Sequence, residues 1–230
     1  MLDNNELQDK RLLILTGPQG SGNHMFSRVF SWHPDVQGWD ALKRNYWVPS
    51  DQEPFAEYWV YPERLTSEHF NGNQYFFANV SAPFFYDGVR QLPKIHEVAQ
   101  RARDFGVEVV IGIVTRDKTI NQQQQDRVGG EVTWAEAMYY YRQNLLPNFE
   151  CHFISNETLF AWNYDYLLYL GRLLKFPVDI TRGMDMVDTN PNRKYIKVVD
   201  EHWLDDEIRA GRRPFADRVM DHLRGNFDSH

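Results

Sequence analysis

The segment Gly17–Gly22 has the composition of a loop that binds an anion through its backbone. It lies within RLLILTGPQGSGNH, where an apolar run is followed by three glycines in six residues. Glycines let successive N–H groups turn toward one point, and the positive end of a following helix attracts an anion. The positions that normally hold Lys and Ser or Thr in a phosphate-binding loop hold Asn23 and His24. The sequence therefore predicts an anion site without the usual ammonium group and without the usual Mg²⁺-binding hydroxyl.

The side chains of this loop and of the helix after it supply the first candidate binding residues. Asn23 has an uncharged amide that donates hydrogen bonds to a phosphate or bridging oxygen. His24 offers the same, or it carries a proton during group transfer; the alternative is that it packs or caps at the first turn of the helix. The predicted binding set is Gln19, Gly20, Ser21, Gly22, Asn23 and His24.

Strands and helices alternate along the chain around this loop. We predict strands over residues 12–16, 74–81, 107–115 and 150–154, and helices after residue 22 and over 93–105, 133–146 and 156–175. The run VEVVIGIVT is nearly continuous in apolar character, as in a strand covered on both faces. This order predicts an α/β fold with a mostly parallel sheet flanked by helices in three layers.

Polar residues that follow the predicted strands belong to one edge of such a sheet. Ligands of open parallel sheets bind beyond the carboxyl ends of the strands. Arg116 ends one buried strand, where a guanidinium is placed to bind a phosphate bidentately. The alternative for Arg116 is a structural ion pair with Asp117 or Glu157. Transfer to a hydroxyl also needs a proton acceptor, for which we name His24, Asp40 and Asp87.

Composition excludes several broad classes of protein. The chain has 230 residues, 42% of them hydrophobic, so it is long enough to bury a core. The net charge of −7 argues against broad non-specific binding of nucleic acid. A single cysteine, Cys151, gives no disulfide framework, and no apolar stretch has membrane-spanning length. We therefore expect a cytoplasmic protein with no membrane partner, and we expect no protein metal site.

Three segments together resemble the sulfotransferase branch of the P-loop superfamily. The first runs from Gly17 to Asp40 and contains Ser-Gly-Asn-His in place of a Ser-Gly-[Ser/Thr]-[Ser/Thr] loop, then His33-Pro34-Asp35-Val36 at the position of a His-Pro-[Asp/Glu]-[Ile/Val] motif. The second is IVTRDKTINQQQQ, similar to a strand followed by Arg-[Asp/Asn]-Pro-x-Asp. The third, Cys151–Val178, resembles the strand, Glu-x-Leu and helix that follow.

The resemblance implies a donor and residues that hold it. In this family the donor is 3′-phosphoadenosine-5′-phosphosulfate (PAPS), and its 3′-phosphate is held by the Arg and by a Ser eight residues later. Arg116 and Gln124 stand at those two positions, so both join the candidate binding residues. The implied activity is transfer of a sulfuryl group to a hydroxyl or amine of a small-molecule acceptor.

The sequence differs from the family pattern at the residues that contact the donor. The loop has no basic residue, Asn23 and His24 replace two hydroxyls, Lys118 replaces Pro, and Gln124 replaces Ser. Two alternatives stay open for this reason. One is a P-loop kinase that uses ATP with Mg²⁺ on a nucleotide, modified base or other small hydroxyl compound. The other is a nucleotide-binding protein that has lost catalysis.

We interpret residues 1–230 as a single domain with two additions. The Pro- and aromatic-rich stretch 34–73 is predicted to be an irregular insertion that shapes the acceptor side. Residues 190–230 are predicted to form a helical extension or lid. Its basic residues are interpreted as solvated helix faces balanced by nearby acidic residues, with contact to the donor phosphates as the alternative: Arg193, Lys194, Lys197, Arg209, Arg212 and Arg213.

Overall fold

The computed structural model describes residues 10–45, 48–127 and 133–185. The predicted C-terminal extension and its basic residues lie outside these ranges, so their roles stay predictions.

Seven strands account for the β structure of the described residues. They are β1 (Arg11–Pro18), β2 (Val36–Gln37), β3 (Tyr75–Ala82), β4 (Phe84–Tyr86), β5 (Val89–Gln91), β6 (Glu108–Thr115) and β7 (Cys151–Ser155). Five form one sheet in the order β2-β3-β1-β6-β7, and every pairing in it is parallel. β4 and β5 form a separate antiparallel hairpin. The predicted mostly parallel sheet is confirmed.

Four of the seven helices in the described ranges correspond to predicted ones, those that begin at Asn23, Ile95, Trp134 and Asn156. The seven are α1 (Asn23–Ser31), α2 (Asp40–Arg44), α3 (Ile95–Asp104), α4 (Lys118–Arg127), α5 (Trp134–Tyr140), α6 (Asn156–Leu173) and α7 (Ile180–Asp185). A π-helical turn, Tyr141–Leu145, continues α5, and three short 3₁₀ turns lie at Ser50–Gln52, Pro62–Arg64 and Ser67–Phe70. No helix in the described ranges has both the length and the apolar character needed to cross a membrane.

The sheet is buried on both faces, which explains the continuous apolar runs in its strands. Along β1, Leu12 and Ile14 face a core that includes α3 and α5, while Leu13 and Leu15 face a core that includes α1 and α6. This alternation follows from the two-residue period of a strand. Helices on both faces give the α/β architecture that the sequence predicted.

The helix after β1 and the helix before β6 show how local sequence sets element ends. Helix α1 starts directly after Gly22, whose φ of 105° is in the left-handed region. Helix α3 buries Ile95, Val98, Ala99 and Ala102, and Gly106 with φ 83° follows it as a C-terminal glycine.

The segment 34–73 is more ordered than its irregular sequence suggests. Val36 and Gln37 pair with Tyr75 and Phe76 and so add a short strand to the sheet. Farther along, Phe55, Trp59, Leu65 and Phe70 enter the core on the α3 face. The segment is therefore packed on the sheet through aromatic side chains.

Candidate functional site

The anion loop, residues 17–22, joins the carboxyl end of β1 to the amino end of α1. Ser21 N–H donates to the Pro18 carbonyl at 3.1 Å, which closes a tight turn. Gly20 has φ 82° and Gly22 has φ 105°, backbone conformations that disfavour any side chain. The N-cap residue of α1 is Gly22, which has no side chain to cap the helix. Because the first N–H groups of a helix have no partner within the helix, this turn provides donors for an anion.

Side chains from α1, α4, α6 and the end of β6 hold the carbonyl groups of the anion loop. Four of these carbonyls accept hydrogen bonds from side chains: Gly17 from Asn23 Nδ2, Gln19 from Asn121 Nδ2 and Gln125 Nε2, Gly20 from Arg116 Nη1, and Ser21 from Asn156 Nδ2. When the carbonyl of a peptide is held on one side, the N–H of the same peptide points to the opposite side. The loop is thus shaped by neutral amides and one guanidinium.

Asn23 occupies the position of the missing lysine, but its side chain points into the protein. It is 5% exposed. Its amide donates to the Gly17 carbonyl at 3.3 Å and to Ser81 Oγ at 2.9 Å, and its Oδ1 accepts from Ser21 Oγ at 2.9 Å. Both amide hydrogens therefore have acceptors within the protein. In this conformation Asn23 stabilises the loop and ties it to the end of β3.

Arg116 and Gln124, predicted to hold one phosphate, lie side by side. Arg116 follows β6, and Gln124 lies in α4 one residue before the buried Gln125. Arg116 Nη1 donates to Gln124 Oε1 and, at 2.7 Å, to the carbonyl of Gly20 in the anion loop. Asp117 N–H donates to Glu157 Oε1 at 3.0 Å, so the carboxylate of Glu157 also lies at this strand end. The structure brings the two predicted residues together beside the loop.

His24 lies on the first turn of α1, on the side of the 34–73 segment. Its Nε2 donates to the Val48 carbonyl at 2.9 Å, and its ring lies 5.3 Å from that of Trp39, centroid to centroid. Burial lowers the pKa of His24, and the bond to Val48 offsets this only in part. With Nε2 as the donor, the neutral ring carries its lone pair on Nδ1.

Asp40 and Asp87 lie on the surface. Asp40 is the first residue of α2 and pairs with Lys43 at 2.6 Å, with its side chain 76% exposed. Asp87 is at the tip of the β4–β5 hairpin, where Asp87 and Gly88 have φ values of 50° and 74°. Among the described residues, no hydrogen bond or ion pair joins either carboxylate to the anion loop. Among the same residues, no hydrogen bond or ion pair joins either carboxylate to His24.

Several residues at the site were not predicted from the sequence. Asn121 and Gln125 hold the Gln19 carbonyl and are each at most 2% exposed. Tyr141 lies in the π-helical turn and its hydroxyl is 3.0 Å from Oγ1 of Thr16, the residue before the loop. Polar residues three or four apart, such as Asn121 and Gln125, are a signal for a buried polar face, although solvated helices show the same pattern.

Glu53 is a second unpredicted residue, on the 34–73 segment. It is 3% exposed. Its Oε1 accepts from Asn79 N–H in β3 at 3.0 Å, and its Oε2 accepts from Phe55 N–H at 2.8 Å and Trp59 Nε1 at 3.2 Å. Burial raises the pKa of Glu53 to about 8, although the three donors act in the opposite direction.

The metal-ligating side chains of the described ranges are dispersed. No group of three or more His, Cys, Asp or Glu residues in these ranges is arranged to hold an ion. The site that the structure does assemble is therefore built from backbone N–H groups, amides and Arg116.

Comparison with known proteins gives structural similarity only. No protein-family model matches the chain, and no curated protein matches its sequence. It is similar to the mouse sulfotransferase SULT7A1 complexed with PAP, with 11% identity, a TM-score of 0.39, and coverage of 79% of this chain and 64% of that one. It is also similar to a sulfotransferase from Alicyclobacillus acidocaldarius, with 14% identity, a TM-score of 0.37, and coverage of 91% and 99%. The chain thus spans under two thirds of the mouse structure.

Proposed function

We propose that the chain is a sulfotransferase-like group transferase that moves a sulfuryl group from PAPS to a hydroxyl or amine of a small-molecule acceptor. The proposal rests first on one observation: Arg116 and Gln124 lie together beside the Gly20 carbonyl. The sequence resemblance assigns these two positions to one phosphate of the donor. Their contact across eight residues is what a shared ligand requires.

The residues present fit such a donor. The start of α1 offers N–H groups to one anionic group, and the Arg116 guanidinium supplies a positive charge beside the loop for another. Gln124 supplies an amide whose NH₂ donates to a phosphate oxygen once the amide turns over. The absence of a loop lysine and of the Mg²⁺-binding hydroxyl also suits this class better than an ATP-dependent kinase.

When bound, PAPS supplies the sulfuryl group and leaves as the bisphosphate PAP. The acceptor oxygen or nitrogen forms a bond to sulfur as the bond from sulfur to the PAP oxygen breaks. The protein orients the two partners and stabilises the charge on the transferred group with fixed N–H dipoles.

His24 is the residue best suited to take the acceptor proton. Burial lowers its pKa, so the ring is neutral at pH 7 and is able to accept a proton. The hydrogen bond from Nε2 to the Val48 carbonyl fixes the ring and joins α1 to the 34–73 segment. The exposed Asp40 and Asp87 remain candidate bases with no contact to the loop described.

The test is thermal unfolding of the protein alone, with PAP, and with ATP plus Mg²⁺. A ligand at about 100 times its Kd adds roughly 2.7 kcal/mol to the free energy of unfolding. For a chain of this size the Tm rises by about 5–10 °C. We expect this rise with PAP and not with ATP plus Mg²⁺.

Arg116→Ala is the matched variant, and Arg172→Ala, which removes an exposed guanidinium at the end of α6, is its control. The first should abolish the shift with PAP and the second should keep it. A shift with ATP and Mg²⁺ alone would favour the kinase. No shift with either ligand would favour a protein without catalysis. PAP binding that survives Arg116→Ala would show that Arg116 does not hold the donor and would contradict the proposal.

A further inference from the structure

The peptide between Gln19 and Gly20 is the part of the anion loop that the described side chains hold most tightly. The Gln19 carbonyl accepts two hydrogen bonds, from Asn121 Nδ2 at 3.0 Å and from Gln125 Nε2 at 2.6 Å. Each other bound carbonyl of the loop has one described side-chain donor. Both donors come from α4 and are one turn apart, on the face that meets the loop.

Gln125 is itself fixed on its other sides. It is 2% exposed, and its Oε1 accepts from Thr133 N–H at 3.1 Å. Its Nε2 also lies 3.1 Å from Asn121 Oδ1 and 3.2 Å from Thr133 Oγ1. Thr133 immediately precedes α5, so one amide connects the loop, α4 and the start of α5. A side chain held in this way has a single orientation.

The planarity of the peptide bond turns this contact into a directed donor. In a trans peptide the carbonyl and the following N–H point in opposite directions. Holding the Gln19 carbonyl toward α4 therefore directs the Gly20 N–H away from α4. Gly20 has φ 82°, a conformation in which the peptide is free to flip unless something holds it.

We propose that Gln125, assisted by Asn121, is a positioning residue that aims the Gly20 N–H at the bound anion. The proposal rests on the proposed function only for the identity of that anion. The amide is suited to the task because it donates to Gln19 while accepting from Thr133. A carboxylate at this position accepts only and repels the Gln19 carbonyl.

The experiment measures the Kd for sulfate and for PAP in Gln125→Leu and Gln125→Glu. Two controls accompany them. Gln123→Leu changes a neighbouring, partly exposed residue of α4. Tyr140→Phe removes the buried hydroxyl that accepts from Ile95 N–H at 2.9 Å at the start of α3, so it lowers stability without removing a described contact of the anion loop.

We expect Gln125→Leu to raise the Kd for both anions about tenfold, which is roughly the effect of one directed hydrogen bond. Both controls should stay within about twofold of the wild type. Gln125→Glu should bind weakly at pH 8 and regain sulfate affinity toward pH 5, because the protonated carboxyl again donates to Gln19 while sulfate keeps its charge. A purely structural role predicts no such recovery.

The proposal is overturned if folded Gln125→Leu and Gln125→Glu bind both anions like the wild type. It is also overturned if Tyr140→Phe weakens binding equally, or if the wild-type protein binds neither anion. If the wild type binds sulfate but not PAP, the proposed function fails, while the sulfate results still decide the role of Gln125.

Discussion

The anion loop and the 34–73 segment are both held by hydrogen bonds to buried polar side chains, but the side chains differ in whether they titrate. The loop is held by asparagine and glutamine amides and by Arg116, none of which titrates near neutral pH. Two ties of the segment do titrate: Glu53 binds Asn79 in β3, and His24 in α1 binds Val48. The described contacts of the anion loop are therefore insensitive to pH near neutrality, whereas two contacts of the 34–73 segment depend on pH.

The largest expected effect is the pH dependence that Glu53 imposes on stability. The pKa of Glu53 is about 8 in the folded protein, against an ordinary value of 4.5. The folded state then binds more protons than the unfolded state between these values, so this group lowers the free energy of unfolding as pH rises from about 4.5 to 8. We expect a total loss on the order of a few kcal/mol, measured by urea unfolding at several pH values.

Glu53→Gln should flatten this slope, because an amide does not titrate. Glu57→Gln, on the same segment but paired with Arg64 at the surface, is the control and should leave the slope as in the wild type. Equal slopes in the wild type and in Glu53→Gln would show that the segment is not tied by a protonated carboxyl.

A smaller effect, about 2 kcal/mol, is expected from Gly22→Ala in the anion loop. A Cβ at Gly22 lies 2.3 Å from Asn156 Nδ2, and the residue has φ 105°. The side chain must displace the amide that holds the Ser21 carbonyl, so anion binding should fall along with stability. Calorimetric titration with sulfate and thermal unfolding together measure both losses.

Gly72→Ala separates the contact from the backbone strain. Gly72 has φ 90°, and a Cβ at this residue would meet no atom within 4 Å, so only the backbone term applies. Gly72→Ala should lower the free energy of unfolding by less than Gly22→Ala does, and it should leave sulfate binding unchanged. If the two variants behave alike, the Asn156 contact does not matter, and the loop is no more constrained than an open turn.

The smallest expected effect comes from His24 and has the opposite sign to that of Glu53. Burial lowers the pKa of His24, so the unfolded state binds more protons below the ordinary value of 6.5. Stability from this group is present above pH 6.5 and is lost as pH falls below it. His24→Gln keeps a donor for Val48. The Tm of this variant minus that of the wild type should increase as pH falls from 6.5 to 5, because the contribution of Glu53 is common to both proteins. A difference that decreases over this range would contradict the assignment.

Sequence patterns predicted the sheet because its strands are apolar on both faces, and the runs around Leu13 and Ile111 are unmistakable. The same reasoning placed Arg116 beside the loop, since strand ends meet at one edge of a parallel sheet. Helix α4 is not predictable in this way, because it turns Asn121 and Gln125 inward and so has no apolar stripe. Periodicity detects buried hydrophobic faces and is blind to a buried amide face.

The contacts that hold the 34–73 segment on the sheet were not predictable from the sequence for a related reason. Glu53 follows a surface-like Ser-Asp-Gln sequence, and only its place beside β3 shows that it is buried. Strand β2 has two residues, too few for any alternating pattern, and the β4–β5 hairpin has three-residue strands. Such elements are set by contacts distant in sequence.

The brevity of β2 has a consequence for how copies of this protein meet. Beyond Phe76 the outer edge of β3 has no strand partner among the described residues, and its Asn79 N–H is instead occupied by the Glu53 carboxyl. An open edge strand is a template on which a second chain adds its own strand, the first step of aggregation. The buried carboxyl of Glu53 occupies that N–H, so an incoming strand would find no free backbone donor at Asn79. Glu53 therefore covers one backbone donor of this edge and also anchors the 34–73 segment.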